Sequence, residues 1–171
     1  MSSIGVAEFS SIPEGIETLD KFLKIVNVDV YRAGTTCPGK YYFIILGDTE
    51  SINIGLNNLK EEQKKISISG VSEDVLKAIR NQNNKKIKSS IGVFEFSNIS
   101  ESLYSLDNLI KKIDVAIVKL VLGYGIAGKS YYVITGNIDS IEEAIILVTE
   151  SYKVKSYRKI NNPSNGILKY I

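Results

Sequence analysis

The sequence has no histidine, no tryptophan, one cysteine and only three prolines in 171 residues. Without histidine there is no imidazole base, no imidazole metal ligand and no Ser-His or Cys-His pair. A single thiol excludes an intrachain disulfide and a Cys-rich zinc site built by one chain, and it suits a reducing compartment. Asp, Glu, Lys and Tyr remain chemically competent, but no spacing among them suggests catalysis, so the chain reads as non-enzymatic. Long apolar runs are missing too. Charges interrupt every hydrophobic segment well short of the ~20 residues that span a bilayer, so no membrane is expected as a partner. Charge of one sign is also scarce: 21 basic against 19 acidic residues leave +2, too little to make a nucleic acid the default partner. The stretch from Met1 to Glu8 lacks a basic region ahead of its apolar residues and does not read as a secretory signal, which makes the cytoplasm the expected location.

What the sequence does contain is a duplication. Ser3-Ile4-Gly5-Val6-Ala7-Glu8-Phe9-Ser10 returns as Ser90-Ile91-Gly92-Val93-Phe94-Glu95-Phe96-Ser97, at an offset of 87. Leu19-Asp20 and Lys24 return as Leu106-Asp107 and Lys111 at the same offset. Gly39-Lys40, Tyr42, Gly47 and Ser51-Ile52 then return at an offset of 89, as Gly128-Lys129, Tyr131, Gly136 and Ser140-Ile141. The second copy therefore carries two additional residues between the matched blocks. This predicts two domains, residues 1–80 and 90–171, joined by a linker at 81–89, each near the size at which a single core becomes marginal.

Each copy opens on an alternating apolar run (Ile4, Val6; Ile91, Val93) that reads as a strand. Ser11-Ile12-Pro13 supplies a helix start, and Ile12, Ile16, Leu19, Leu23 and Val26 recur at helical spacing as one expected apolar face. The second copy repeats this with Ile99, Leu103, Leu106, Ile110 and Ile113. Two β-branched runs flank a Gly-containing turn in each copy, Val28 to Ala33 with Tyr41 to Leu46, and Val115 to Leu122 with Tyr131 to Thr135, and these predict hairpins. A second helix follows, with Ile52, Leu56 and Leu59 or Ile141, Ile145 and Val148 on its apolar face. A short run closes each unit. The order β-α-β-β-α-β predicts an α+β fold, two tandem domains each with an antiparallel sheet and helices on one face. Between the copies, Val71 to Ile79 reads as a short helix and Asn81 to Lys86 as a polar, solvated connection rather than an RNA-binding patch, since no aromatics interleave its charges.

Gly123-Tyr124-Gly125-Ile126-Ala127-Gly128-Lys129-Ser130 fits the phosphate-loop pattern G-x-x-x-x-G-K-[ST] at every fixed position. That chemistry requires a helix to start at the loop, so that its amides and dipole face the phosphates. The residues that follow, Tyr131 to Gly136, read instead as a strand. A hairpin turn is the expected structure, and nucleotide binding is not expected.

The repeated Ser-Ile-Gly-Val-x-Glu-Phe, the Leu-Asp-x-x-x-Lys helix and the strand, Gly-rich turn and strand ending in Gly47-Asp48 or Gly136-Asn137 resemble bacterial microcompartment shell proteins. The two-copy arrangement resembles the tandem-domain subclass. That resemblance implies a homotrimer imitating a hexamer, tiled with other microcompartment shell proteins, with the turns after the second strands lining a central pore. The pore-lining residues would be Thr35, Thr36, Cys37, Pro38 and Gly39 from the first copy and Gly123, Tyr124, Gly125, Ile126 and Ala127 from the second. Lys24 and Lys111 match the family's edge lysines; by composition alone they read as solvent-facing. Thr36-Cys37-Pro38-Gly39-Lys40-Tyr41 resembles the pore segment of iron–sulfur-binding tandem shell proteins of propanediol-utilisation compartments. The resemblance implies one [4Fe-4S] cluster per trimer, ligated by Cys37 from three chains, for electron transfer or cluster delivery across the shell, with encapsulated redox enzymes as candidate partners. Ile126 and Ala127 stand where the first copy has Cys37 and Pro38, so only the first copy can ligate. A cluster-free trimer with a metabolite-conducting pore, and a cytosolic metabolite sensor built of paired α+β domains, are the alternatives; a buried or incidental thiol is the plain reading of Cys37.

Overall fold

Helix starts in this chain are set by side chains that satisfy the first unpaired backbone amides. Ser11, Asp48, Asn98 and Asn137 each accept a hydrogen bond from the amide three residues on, and a helix follows each of them. In the computed structural model, which describes residues 2–83 and 86–171, these helices alternate with strands in the predicted order, twice. Met1 and the connection residues Asn84 and Lys85 lie outside the described residues.

The first copy runs β1 (Ser3–Phe9), α1 (Ile12–Ile25), β2 (Asp29–Thr36), β3 (Lys40–Gly47), α2 (Thr49–Asn57) and β4 (Lys64–Ile68). After α3 (Glu73–Ile79), the second runs β5 (Ser90–Phe96), α4 (Ile99–Lys112), β6 (Ala116–Leu122), β7 (Ser130–Gly136), α5 (Ile138–Ser151) and β8 (Ser156–Asn161). Each copy forms a four-stranded antiparallel sheet, ordered β2-β3-β1-β4 and β6-β7-β5-β8. The chain separates into two compact units. Unit 1 holds the residues up to Val71 together with Gly123–Gly128; unit 2 holds Ser72–Leu122 and Lys129–Ile171.

In unit 1 the apolar side of the sheet meets α1 and α2 through Ala7, Phe9, Phe22, Phe43, Ile45, Ile52 and Leu56, with Phe43 in contact with both Phe9 and Phe22. The buried residues of α1 are Gly15 and Phe22. This corrects the face expected from spacing, because Ile16 and Leu23 point to solvent. The period was right but the stripe was rotated: a single aromatic at position 22 claimed the sheet side. In unit 2, Phe94, Phe96 and Tyr132 stack on the helix side of the sheet. Ile91, Val118 and Val133 form a cluster on the other side, where Leu168 and Ile171 of the C-terminal segment pack.

The predicted short helix is α3, and it belongs to unit 2, where it lies against α4 and β6. Its start is held by a hydrogen bond from the Ser72 amide to Asp107 Oδ1 (2.7 Å). The polar connection is more anchored than expected: the Asn83 amide donates to the Ile117 and Val118 carbonyls at 3.1 and 2.6 Å.

Candidate functional site: the paired turns and the exposed thiol

The first hairpin is tighter than its composition suggests. Strand pairing continues through Gly34↔Tyr42, Thr35↔Tyr41 and Thr36↔Lys40, so Thr35 and Thr36 belong to β2 and only Cys37, Pro38 and Gly39 make the turn. The Gly39 amide closes it on the Thr36 carbonyl (2.9 Å), with Gly39 at φ +92. Cys37, Pro38 and Gly39 are exposed and Thr36 is buried. A Cβ built on Gly39 would meet nothing within 4 Å, so the turn is open at Gly39. Behind the turn, burial raises the Tyr42 phenol above its ordinary range, against the opposing pull of Arg32.

The second hairpin leaves its strands at Leu122↔Ser130, equivalent to Thr35↔Tyr41, and so contains the two additional residues found in the repeat. Gly123, Gly125, Ala127 and Gly128 all have positive φ, the conformation that glycine adopts at least cost. Tyr124 is exposed, Ile126 is half-buried, and Gly123 and Gly128 are buried. At Gly128 a side chain is excluded by a close approach as well: a Cβ there would lie 2.6 Å from the Cys37 carbonyl oxygen and 3.7 Å from Thr36 Oγ1. The structure thus brings the two candidate pore turns together within unit 1. Ser130–Gly136 after Lys129 is a strand, and Lys129 Nζ pairs with Glu95 (3.2 Å), so the phosphate-loop pattern lacks its helix and its lysine is occupied.

Lys24 stands in the last turn of α1 and Lys111 in the last turn of α4. Lys24 pairs with Asp20 in solvent at 2.5 Å. Lys111 pairs with Asp107 at the same distance, but that carboxylate is buried and also holds Ser72. Sequence reasoning missed the Asp107–Ser72 bond. The Leu-Asp-x-x-x-Lys motif marked both aspartates, but nothing local distinguishes the one that another segment covers. Among the described residues, no group of three or more His, Cys, Asp or Glu side chains could hold a metal ion.

With this geometry in place, comparison with known proteins is decisive on family. The BMC domain matches residues 3–80 and, again, 90–163. The chain belongs to the BMC-domain family. The microcompartment shell protein PduT of Citrobacter freundii is 27% identical over 154 residues, covering 87% of this chain and 84% of PduT. The crystal structure of a microcompartments protein from Desulfitobacterium hafniense DCB superposes with a TM-score of 0.85 at 29% identity, covering 99% of both chains. A fused permuted hexameric shell protein of the RMM microcompartment shares the fold, with a TM-score of 0.61 at 15% identity over 87% of this chain and 82% of that one. The chain is therefore a structural microcompartment shell protein with tandem BMC domains, as its repeated motifs implied, and the metabolite-sensor alternative is displaced. Among the described residues, no helix is long and apolar enough to cross a membrane.

Proposed function

We propose that this BMC-domain chain is a non-catalytic wall subunit of a bacterial microcompartment. In this reading it forms a homotrimer whose six domains make a pseudohexameric ring, with Thr35 to Gly39 and Gly123 to Ala127 lining the centre. Lys24 and Lys111 stand at its contacts with neighbouring shell proteins. The observation that carries the reading is the exposed Cys37 at the tip of the first turn, beside the turn of the second copy.

The thiol fits an iron–sulfur role on its surroundings. It is exposed, it stands at the tip of a turn that is open at Gly39, and it is the one thiol in the chain. Cluster irons take thiolate ligands, and one chain supplies one, so ligation of a [4Fe-4S] cluster requires Cys37 from three chains and a ligand other than Cys for the fourth iron. When bound, such a group supplies one-electron chemistry across the wall or serves as cargo for delivery, with encapsulated redox enzymes as the matching partners. The chain's own part is to present the thiolate from a short hairpin held by the Thr36–Gly39 bond.

Anaerobic purification followed by iron analysis and visible absorption tests this. About four irons per three chains is the expected stoichiometry, lost on Cys37→Ala while the mass of the assembly is unchanged. Iron-free trimers after anaerobic reconstitution would instead support the pore reading. That reading draws on the second turn, which has no thiol and whose residues alternate with positive-φ ones at Gly123, Gly125 and Ala127, a backbone pattern of the kind that attracts anions.

A further inference from the structure

The duplication extends beyond the last strands, at a larger offset. Ile4 pairs with Ile68 and Ile91 with Ile160, which sets an offset of 92 between β4 and β8. Carried forward, it aligns Gly70-Val71-Ser72-Glu73-Asp74-Val75-Leu76-Lys77-Ala78-Ile79 with Asn162-Pro163-Ser164-Asn165-Gly166-Ile167-Leu168-Lys169-Tyr170-Ile171. Ser, Leu, Lys and the final Ile coincide, and Val75 becomes Ile167. The backbone agrees, since Gly70 and Asn162 both take positive φ (57 and 47). The C-terminal segment is thus the counterpart of α3.

The two segments differ in how they are covered. Leu76 and Ile79 of α3 are buried, and so are Val75 and Ala78. In the C-terminal segment Leu168 and Ile171 pack on the unit 2 sheet, whereas Ile167 is half-buried and Tyr170, the counterpart of the 1% exposed Ala78, is 86% exposed. The Ser164 amide, counterpart of the Ser72 amide, has no partner among the described residues.

A matching face lies open on unit 1. α3 rests on α4 and β6, where Leu103, Asp107 and Ile117 are buried. The corresponding residues of α1 and β2 are Ile16, Asp20 and Val30. Ile16 is 52% exposed and Val30 42% exposed, and the Asp20 carboxylate is exposed and paired with Lys24. Charge adds a complement. Lys77 and Ala116 line one cleft in unit 2, and their counterparts are Lys169 and the exposed Asp29, a pair of opposite sign.

We propose that the segment Ser164–Ile171 of one chain docks on the α1 and β2 face of a second copy, with the Ser164 amide on Asp20, Ile167 and Tyr170 over Ile16 and Val30, and Lys169 beside Asp29. The donor and receiving surfaces differ, so the contact is heterologous and passes from chain to chain until a ring closes. This deepens the trimer reading and rests on it only for the number of copies.

The test uses full-length chains carrying Cys37→Ala. One carries Asp20→Cys and the other Ser164→Cys; the two are co-expressed, oxidised and run without reductant. A third chain with Ser72→Cys and Asp107→Cys calibrates the same geometry within one molecule. The expected result is a disulfide-linked pair of the two different chains. If the calibrating pair closes and the mixed pair does not, the docking is overturned, and a three-chain mass measured alongside would leave the trimer reading intact. If the mixed pair forms in an assembly that is not three chains, the docking holds and the trimer reading fails. Ile16→Asp, at a position already in solvent, provides a second measurement. The expectation is an unchanged circular dichroism spectrum and association weakened at least about tenfold by sedimentation; unchanged association would overturn the docking.

Discussion

α1 with β2 and α4 with β6 are the same structure written twice, yet one face is open and the other closed. Leu103 is fully buried and Ile16 is half in water; Asp107 holds a backbone amide as well as Lys111, and among the described residues Asp20 holds Lys24 alone. Local geometry does not separate them, for both helices have 14 residues, a polar N-cap and an i,i+4 Asp–Lys pair. What separates them is a third segment. α3 lies on the second face and has no described counterpart on the first. A tandem repeat can therefore build identical domains and still give each a different surface, by where it sends the segments that follow the sheets.

Paired substitutions sharpen this comparison, and the largest effect is expected in the core stripe. Leu103→Ala should cost about 2–5 kcal/mol in denaturant unfolding of the dissociated chain, against less than about 0.5 kcal/mol for Ile16→Ala. Equal costs would mean the two faces are equally covered. Asp107→Ala removes a charged acceptor from Ser72 and Lys111 and should cost about 2–3 kcal/mol. In the dissociated chain Asp20→Ala should cost at most about 1 kcal/mol, as for an exposed ion pair.

The two cores also solve one contact differently. Gly55 sits against Phe22, and a Cβ there would lie 2.0 Å from the ring; the counterparts in unit 2 are Ala144 and Leu109, both fully buried. Gly55→Ala should therefore cost about 1–3 kcal/mol through overpacking. Phe22→Leu in the same chain should restore most of that loss, as a double-mutant cycle would read.

The smallest contrast is in the caps of α2 and α5. Asp48 accepts from the amide and hydroxyl of Ser51, and these bonds hold its carboxyl below the usual range; Asn137 makes the equivalent bond to the Ser140 amide and does not titrate. A depressed acid contributes stability above its unfolded value, near 3.9, and loses it as pH falls through the folded value. Amide-exchange protection at Ser51 should fall more than at Ser140 on acidification below about pH 4, and Asp48→Asn should remove the difference.

Much of this was legible in the residues. The repeat fixed the element order, because the same caps, apolar periods and turn glycines occur twice, and the strand after Lys129 was enough to reject the phosphate-loop pattern. The hairpin turns lie within two residues of the expected positions; pairing with Tyr41 and Lys40 carries β2 through Thr35 and Thr36. The outward face of α1 was not legible. Spacing defines a stripe to within one residue's rotation, and Phe22 against Phe43 and Gly55 decided which side the sheet would take.

The sequence by itself determined the duplication, the α+β fold of each copy, the lone thiol and its place in a hairpin, since these follow from local propensity and from identity between the halves. Only the tertiary structure decided that the turn of the second copy lies against Cys37, that α3 belongs to unit 2, and that Asp107 is buried where Asp20 is not. Those facts depend on contacts between residues far apart in the chain, and a side chain's burial is set by what folds over it rather than by its neighbours in sequence.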